Sequence, residues 1–199
     1  MADPTPPSRP VADPTPPSRG LRADARRNRA RVLEVAAEIF ATEGLSVPVH
    51  EIARRAGVGT GTVSRHFPTK EELFAAILMS RMEQLTSQAD ELAATKDPGD
   101  AFLDFFALVV HEGAAHRGLA EALAGAGYDI ETAGERAGFD VPGRLRDMLT
   151  RAQQAGAIRP DVQYADVKAL MAGCLVRDTA DAAGLDRVIE VVCQGLRPA

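Results

Sequence analysis

The chain has 199 residues, of which 45% are hydrophobic and 26% charged, a composition that predicts one large or two small globular domains with a buried core. No run of apolar residues is long enough to predict a membrane span and none near the N-terminus predicts a signal peptide, so we expect no membrane partner and a cytoplasmic location. Two cysteines are too few for a disulfide framework.

The net charge of −5 is unevenly distributed. Residues 21–70 contain nine Lys and Arg against five Asp and Glu, a net of +4. Residues 71–199 contain twelve against twenty-one, a net of −9. Because nucleic acids respond to the local field, an acidic whole chain does not exclude binding by its basic N-terminal block.

Residues 1–20 contain the sequence ADPTPPSR twice, at 2–9 and 12–19. This segment is rich in proline and almost free of apolar side chains, so burial cannot offset the entropy of ordering it. We predict a disordered Pro-rich arm. Its arginines could contact a phosphate backbone, but an inert tail is the simpler interpretation.

Three helices are predicted next. In RARVLEVAAEIFATEG, apolar residues recur every three or four positions, and Gly44 closes the helix. VPVHEIARRAG predicts a short second helix with Pro48 at its first position and Gly57 at its end. Thr69 and Glu72 form a capping-box pattern, which begins a long helix extending through residue 92.

Three glycines between the second and the long helix, Gly57, Gly59 and Gly61, allow two interpretations. A phosphate-binding loop requires a preceding strand and, in its strongest form, a Lys after the last glycine, and neither is present. A bend between two short helices fits better and predicts a helix-turn-helix. Its inward-facing residues would be Ile52, Ala53, Val58, Val63 and Phe67.

That orientation leaves the polar residues of the second short helix of this motif, residues 59–66 and hereafter the third helix, facing outward. Each glycine costs roughly 1 kcal/mol of helix propensity, which close approach of the backbone to a ligand such as DNA would justify. The outward set is Thr60, Gly61, Ser64 and Arg65.

The rest of the chain also has helical patterns. AFLDFFALVVH is apolar on nearly every side, as in a centrally buried helix, and further helices are predicted at 117–125, 142–155, 163–178 and 184–196. The glycine-rich stretch 125–142 has no predictable helix edges. No strand alternation occurs, so the predicted fold class is all-α.

VLEVAAEIFATEG, EIARRAGVGTGTVSRHFPTKEEL and the closing GLRPA resemble TetR-type transcriptional regulators. The motif match covers about fifty residues. The resemblance implies a three-helix DNA-binding domain at 21–68 and a helical effector-binding and dimerisation domain at 69–199. It also implies double-stranded operator DNA, a small-molecule effector and a homodimer as partners.

The resemblance also implies individual roles. The third helix, residues 59–66, would enter the major groove, and Thr62 and Lys70 match residues that contact phosphate. Thr60 and Ser64 stand where many members have longer side chains, which shifts direct base readout to Arg65. Further candidates for backbone contacts are Arg54 and Arg55 on the second helix and Arg26, Arg27, Arg29 and Arg31 on the first. His66 could equally cap its helix or contact phosphate.

HEGAAH, residues 111–116, nearly matches the zinc-protease motif His-Glu-x-x-His but has one residue too many. On a helix this spacing places the two imidazoles about 140° apart, so they do not converge on one metal. No nucleophile turn or dinucleotide loop occurs. We therefore expect no metal, no cofactor and no enzymatic activity. Cys174 and Cys193 lie in apolar stretches and are predicted to be buried structural thiols.

The resemblance calls for an effector cavity in the helical domain, and apolar residues there are candidates to line it or simply to fill the core. They are Phe102, Phe105, Phe106, Val109, Tyr128, Phe139, Met148 and Met171. With Tyr128, His111 and His116 as its polar groups, such a cavity would suit a lipophilic molecule.

Apolar stripes on the last two helices predict a four-helix dimer interface around a two-fold axis. The stripes comprise Val167, Leu170, Met171, Cys174 and Leu175 on one helix and Leu185, Val188, Ile189, Val192 and Leu196 on the other. Packing within the monomer would explain one face of each helix.

The expected function is a ligand-responsive regulator, more readily a repressor than an activator. The alternatives are a small-molecule-binding helical enzyme and an effector-independent architectural DNA-binding protein.

Overall fold

A computed structural model describes residues 19–176 and 182–198, and within these ranges the chain forms ten helices and no strand, which confirms the all-α prediction. The helices are α1 (Arg19–Glu43), α2 (Val49–Ala56), α3 (Thr60–His66), α4 (Lys70–Thr95), α5 (Pro98–Ala115), α6 (Arg117–Gly125), α7 (Ile130–Arg136), α8 (Val141–Gln154), α9 (Tyr164–Leu175) and α10 (Ala182–Leu196). Most of the predicted Pro-rich arm, residues 1–18, lies outside the described ranges.

Helix boundaries follow the local signals with small corrections. Gly44 (φ +83°) follows α1 and Gly57 (φ +68°) ends α2, both in the left-handed region that favours glycine. The capping box at the start of α4 is present, with the Glu72 amide donating to Thr69 Oγ1 at 3.1 Å. Pro48 is the N-cap of α2 and not its first helical residue, because its ψ of 149° is extended.

Two further differences concern the C-terminal half of the chain. The glycine-rich stretch 125–142 contains a short helix, α7, whose N-cap Asp129 accepts hydrogen bonds from the amide and hydroxyl of Thr132. α9 ends at Leu175, before the predicted residue 178, and Val176 already lies in a turn.

The buried side chains form two hydrophobic clusters, and α4 contributes to both. The N-terminal cluster combines α1, α2, α3 and the first turns of α4 with Leu119 and Leu123 of α6. The C-terminal cluster combines the rest of α4 with α5, α8, α9 and α10. The N-terminal core therefore extends beyond residues 21–68, since six of its buried members come from α4 and α6.

α5 lies at the centre of the C-terminal cluster, as its apolar sequence predicted. Phe102, Phe105, Phe106 and Val110 are completely buried there. None of the described helices is long and apolar enough to cross a bilayer.

Candidate functional sites

α2 and α3 form a helix-turn-helix whose buried side fixes which residues of α3 face outward. Val63 and Ile52 are fully buried, and Ala53 and Phe67 are 1% and 5% exposed. Val58 is half-buried against the same cluster, so all five residues of the predicted set face inward. Thr62 is half-buried. The exposed residues of α3 are Thr60, Gly61, Ser64, Arg65 and His66. A short polar helix is thus presented to solvent on a rigid apolar support.

Among the described residues, neither a steric contact nor a positive φ requires the two glycines at the start of α3. Gly59 has an ordinary φ of −68°, and Gly61 is not among the residues with positive φ. A Cβ added to Gly61 would meet no atom within 4 Å, and one added to Gly59 would lie 3.8 Å from Thr62 Oγ1. The absence of side chains therefore leaves bare backbone facing outward, where a partner can approach closely.

The two arginines of α2 are paired with carboxylates. Arg54 donates to Glu51 at 2.8 and 2.6 Å, and Arg55 donates to Glu51 at 2.7 Å and also to Glu43 at the end of α1. These hydrogen bonds lower the pKa of Glu51 to about 2. Arg55 thus links α1 to α2, and both guanidiniums have an anionic neighbour that partly neutralises them.

Arg65 differs from these arginines because no carboxylate in the described part of the chain forms an ion pair with it. The Arg29 guanidinium lies 5.4 Å from the centre of the Phe67 ring. The centre of the His66 ring lies 6.1 Å from the centre of the same Phe67 ring. Arg27 pairs with Asp24 on its own helix. The end of α3 is therefore flanked by a cation from α1.

Lys70 begins α4 and is directed toward the loop after α1. Its ammonium donates to the Leu45 carbonyl oxygen and lies 5.7 Å from the ring centre of Phe40 and 6.0 Å from that of Phe74. An ammonium has three N–H donors, so this contact leaves two for other acceptors.

An apolar cavity of about 250 Å³ lies where the two hydrophobic clusters meet. Its walls come from α4, α5, α6, α7 and α8. The lining residues are Leu78, Arg81, Met82, Leu85, Val109, Glu112, Gly113, His116, Ala120, Ile130, Glu131, Val141 and Pro142.

Of the eight candidate lining residues, only Val109 lines this cavity. Phe102, Phe105 and Phe106 fill the C-terminal core instead, because α5 is covered by other helices on most sides. Tyr128 is 40% exposed in the loop before α7.

The remaining members of that set also lie away from the cavity. Phe139 is half-buried, and Met171 is half-buried against the C-terminal core. Met148 is buried beside a surface depression next to Arg144. Of the polar groups expected there, His116 lines the cavity, but His111 and Tyr128 do not.

Glu112 is a lining residue that the sequence interpretation did not select. Val109, Glu112, Gly113 and His116 recur at three- and four-residue spacing, which places them on one face of the α5 region. The same spacing is visible in the sequence, in the stretch that includes HEGAAH. The imidazoles of the motif have separate partners: His111 lies 3.3 Å from Asp186 and His116 3.5 Å from Glu112. Within the described residues no group of three or more His, Cys, Asp or Glu is placed to hold a metal ion.

The predicted dimer residues of α9 and α10 lie partly in the core of the monomer and partly at its surface. Val167, Cys174, Ile189 and Leu196 are buried within the monomer. The half-buried members are Leu170, Met171, Leu175, Leu185, Val188 and Val192. Two other residues carry the most exposed apolar surface on this side, Val176 at 80% and Val191 at 71%.

The two cysteines are free thiols on these same helices. Cys174 is buried and Cys193 is half-buried. Burial raises the pKa of both thiols, which favours their protonated form.

Comparison with known proteins gives matches over both halves of the chain. Residues 32–77 match the family model described as bacterial regulatory proteins, tetR family. Residues 97–198 match the model described as transcriptional regulator SbtR-like, C-terminal domain.

Solved structures are also similar over most of the chain, among them the following two. One is a TetR transcription regulatory protein from Mycobacterium vanbaalenii, 46% identical, covering 89% of this chain and 99% of that one with a TM-score of 0.73. The other is the TetR transcriptional regulator SCO0520 from Streptomyces coelicolor, 30% identical, covering 86% and 99% with the same TM-score.

Among curated relatives, the HTH-type transcriptional regulator SrpR of Pseudomonas putida is 40% identical over 78 residues, which are 39% of this chain and 34% of SrpR. The uncharacterized HTH-type transcriptional regulator TtgW of the same species is 38% identical over 78 residues. The match covers 39% of this chain and 54% of TtgW. The chain thus spans only a third to a half of the length of these relatives. The family models and the structural matches over most of the chain show that the chain belongs to the TetR family of bacterial transcriptional regulators, which are DNA-binding proteins and not enzymes.

Proposed function

We propose that this chain is a dimeric cytoplasmic repressor that binds double-stranded operator DNA and leaves it when a small lipophilic effector occupies the cavity. Residues 21–68 would form the DNA-binding domain and residues 69–199 the effector-binding and dimerisation domain. The observation that carries this proposal is that α4 and α6 contribute both to the core under α3 and to the walls of the cavity.

Contacts to DNA bases and contacts to DNA phosphates would be made by different residues. Arg65 lies on the exposed face of α3 without an ion-pair partner among the described residues. It would read a base edge, and Thr60 and Ser64 would add shorter polar contacts. Gly61 would allow the helix backbone to approach the groove. The phosphate contacts would come from Thr62, His66, Lys70, Arg54 and Arg55.

The effector response would travel through packed helices. On α4, Leu73 and Ile77 are buried in the N-terminal core, while Met82 and Leu85 line the cavity one to two turns later. On α6, Leu119 is buried in that core and the adjacent Ala120 lines the cavity. A molecule that changes the position of either wall would therefore move the support of α3 without touching DNA.

A second copy of the chain would complete the assembly. An exposed apolar groove between α9 and α10, lined by Leu170, Val191 and Val192, would be covered by the same surface of the partner. Two α3 helices would then reach successive major grooves about 34–36 Å apart, or a multiple of that distance.

The test begins with selection of bound fragments from the source genome and a mobility shift on the selected fragment. A small molecule found to abolish that shift is then titrated against protein with and without the operator. By linkage, the operator should lower effector affinity by the factor by which effector lowers operator affinity. A fragment-independent shift would favour an architectural protein. Effector affinity indifferent to operator would contradict the coupling.

A further inference from the structure

The first half of α1 extends beyond the hydrophobic core. α1 begins at Arg19, but Val32 is the first of its described side chains to be buried. Residues 24–31, here called the α1 overhang, are exposed on every side of the helix and span about 12 Å at 1.5 Å per residue. Because a short helix is marginal without packing, burial within the monomer does not account for this segment.

The charges of the α1 overhang oppose its own helix. The overhang contains four Arg against one Asp, and α1 has no acidic residue in its first turn. Cations near a helix N-terminus are unfavourable to the helix dipole. The arginines also form like-charge pairs at helical spacing, Arg26 with Arg29 and Arg27 with Arg31, and such pairs destabilise a helix. A polyanion bound along the overhang would offset both effects.

The four arginines lie on two nearly opposite sides of α1. At about 100° per residue, Arg26 and Arg29 are about 60° apart and share the side of Leu33, which is buried in the N-terminal core. Arg27 and Arg31 are about 40° apart on the side turned away from that core. The helix therefore provides two pairs of the same residue type that face in different directions.

Arg29 connects the α1 overhang to the end of α3. Its guanidinium lies 5.4 Å from the ring centre of Phe67, the residue that follows α3. The ring of His66, the last residue of α3, lies beside the same Phe67 ring. The side of the overhang that carries Arg26 and Arg29 is therefore continuous with the exposed end of the helix that would enter the major groove.

Ion pairing also distinguishes the two sides. Arg27 is paired with Asp24. Within the part of the chain that the structure describes, neither Arg26 nor Arg29 forms an ion pair with a carboxylate. A guanidinium matches the geometry of a phosphate group with its fork of N–H donors. Phosphates border the groove that a reading helix enters, so a basic surface beside α3 is placed to meet them.

We propose that the α1 overhang is a second DNA-binding surface, in which Arg26 and Arg29 contact phosphates at the edge of the groove that α3 enters. These contacts do not depend on base sequence, and Arg27 and Arg31 take no part in them. The proposal rests on the DNA binding proposed for α3, and it narrows the four candidate arginines of α1 to two.

Two double variants of the full chain test this assignment with equal changes of charge. The first combines Arg26→Gln with Arg29→Gln, and its matched control combines Arg27→Gln with Arg31→Gln. Binding to a duplex of random sequence is titrated from about 50 to 200 mM salt. The first variant should lose about 1.8 of the log–log salt slope per bound protomer, as expected for two phosphate contacts, and the control should lose little. Equal losses in both variants, or an unaltered slope in the first, would overturn the proposal.

A single variant excludes a merely structural effect. Arg29→Gln also removes the contact with the Phe67 ring, whereas Arg26→Gln removes no ion pair within the described residues. Arg26→Gln should therefore lower the salt slope by about 0.9 while the urea midpoint of unfolding stays unchanged. A lower urea midpoint with an unaltered slope would show that Arg26 stabilises the fold and does not contact phosphate.

The operator, once selected, separates this surface from the proposed function. Because phosphate contacts carry no sequence information, the first double variant should lose the same factor of affinity for the operator and for the random duplex. A loss confined to the operator would contradict backbone contacts by the overhang and leave the repressor intact. An unaltered chain that binds neither duplex would contradict the proposed function and this surface together.

Discussion

The ammonium of Lys70 donates a hydrogen bond to the backbone carbonyl of Leu45, which joins the first turn of α4 to the loop after α1. The contact lies over the aromatic rings of Phe40 and Phe74, which are themselves packed edge to face at 5.0 Å. Lys70 therefore has a structural role in the N-terminal core in addition to the phosphate contact proposed for it.

Lys70→Met should separate the two roles, because Met keeps an apolar stem over the rings. We expect the free energy of unfolding to fall by about 1 kcal/mol from the lost hydrogen bond. We also expect binding to all duplexes to weaken, with the log–log salt slope reduced by about 0.9. Titrations over a salt series measure the slope. Lys96→Met, at an exposed lysine paired with Asp104 far from α3 in the chain, is the control for DNA binding and should leave the salt slope unchanged. An unaltered salt slope in Lys70→Met would show that Lys70 does not contact phosphate.

Arg65→Ala should reduce discrimination between operator and random duplex by roughly 5- to 100-fold, because a free guanidinium that reads a base edge contributes only on the correct sequence. Competition titrations with both duplexes measure the ratio. Arg136→Ala, at the exposed end of α7, serves as the matched control. Equal losses on both duplexes would show that Arg65 contacts only the backbone.

Gly61→Ala should raise stability and lower DNA affinity in the same protein. The new Cβ has open space, so we expect a gain of about 0.5–1 kcal/mol in unfolding free energy from helix propensity. The same methyl group would hold α3 away from the groove. Urea unfolding and operator binding measure the two effects. Gly125→Ala at the end of α6, which also has open space, should leave DNA binding unchanged. Full operator affinity in Gly61→Ala would contradict close backbone approach.

Val191→Glu should weaken self-association, because its side chain is exposed in the monomer and lies on the proposed interface. We expect a monomer at micromolar concentration in sedimentation with an unchanged helical content. Tyr128→Glu places the same charge on an exposed residue outside α9 and α10. Ile189 is unsuitable for this test, since it is 6% exposed and its replacement by Asp would disrupt the monomer core. A normal dimer in Val191→Glu would place the interface on another surface.

Stability should fall in mild acid through His116. Its folded pKa is lowered, so the unfolded chain binds the proton more readily, and the free energy of unfolding decreases as pH drops through the unfolded value near 6.5. Urea unfolding at pH 7.5 and 5.5 measures the loss. His116→Gln should show a smaller pH dependence. An equal loss of unfolding free energy in the unmodified protein and in His116→Gln would show that groups other than His116 cause it.

Local sequence was sufficient for most of the helices, though not for α7, and for the bend between α2 and α3. Three- and four-residue spacing of Val32, Leu33 and Ala36 predicts one buried face, and Gly57 marks the left-handed end of α2. The outward set on α3 followed from the same periodicity. These features depend on neighbours within about one or two turns, so the sequence contains the whole cause.

The tertiary structure decided which apolar residues fill the core and which border empty space. Periodicity identifies the apolar side of α5 but not the helix that covers it, so Phe106 and Val109 looked equivalent although only the second lines the cavity. The same limit explains why Ile189 is covered by the monomer while Val191 is not. Cavities and interfaces are gaps between elements distant in sequence, and their position depends on how whole helices pack.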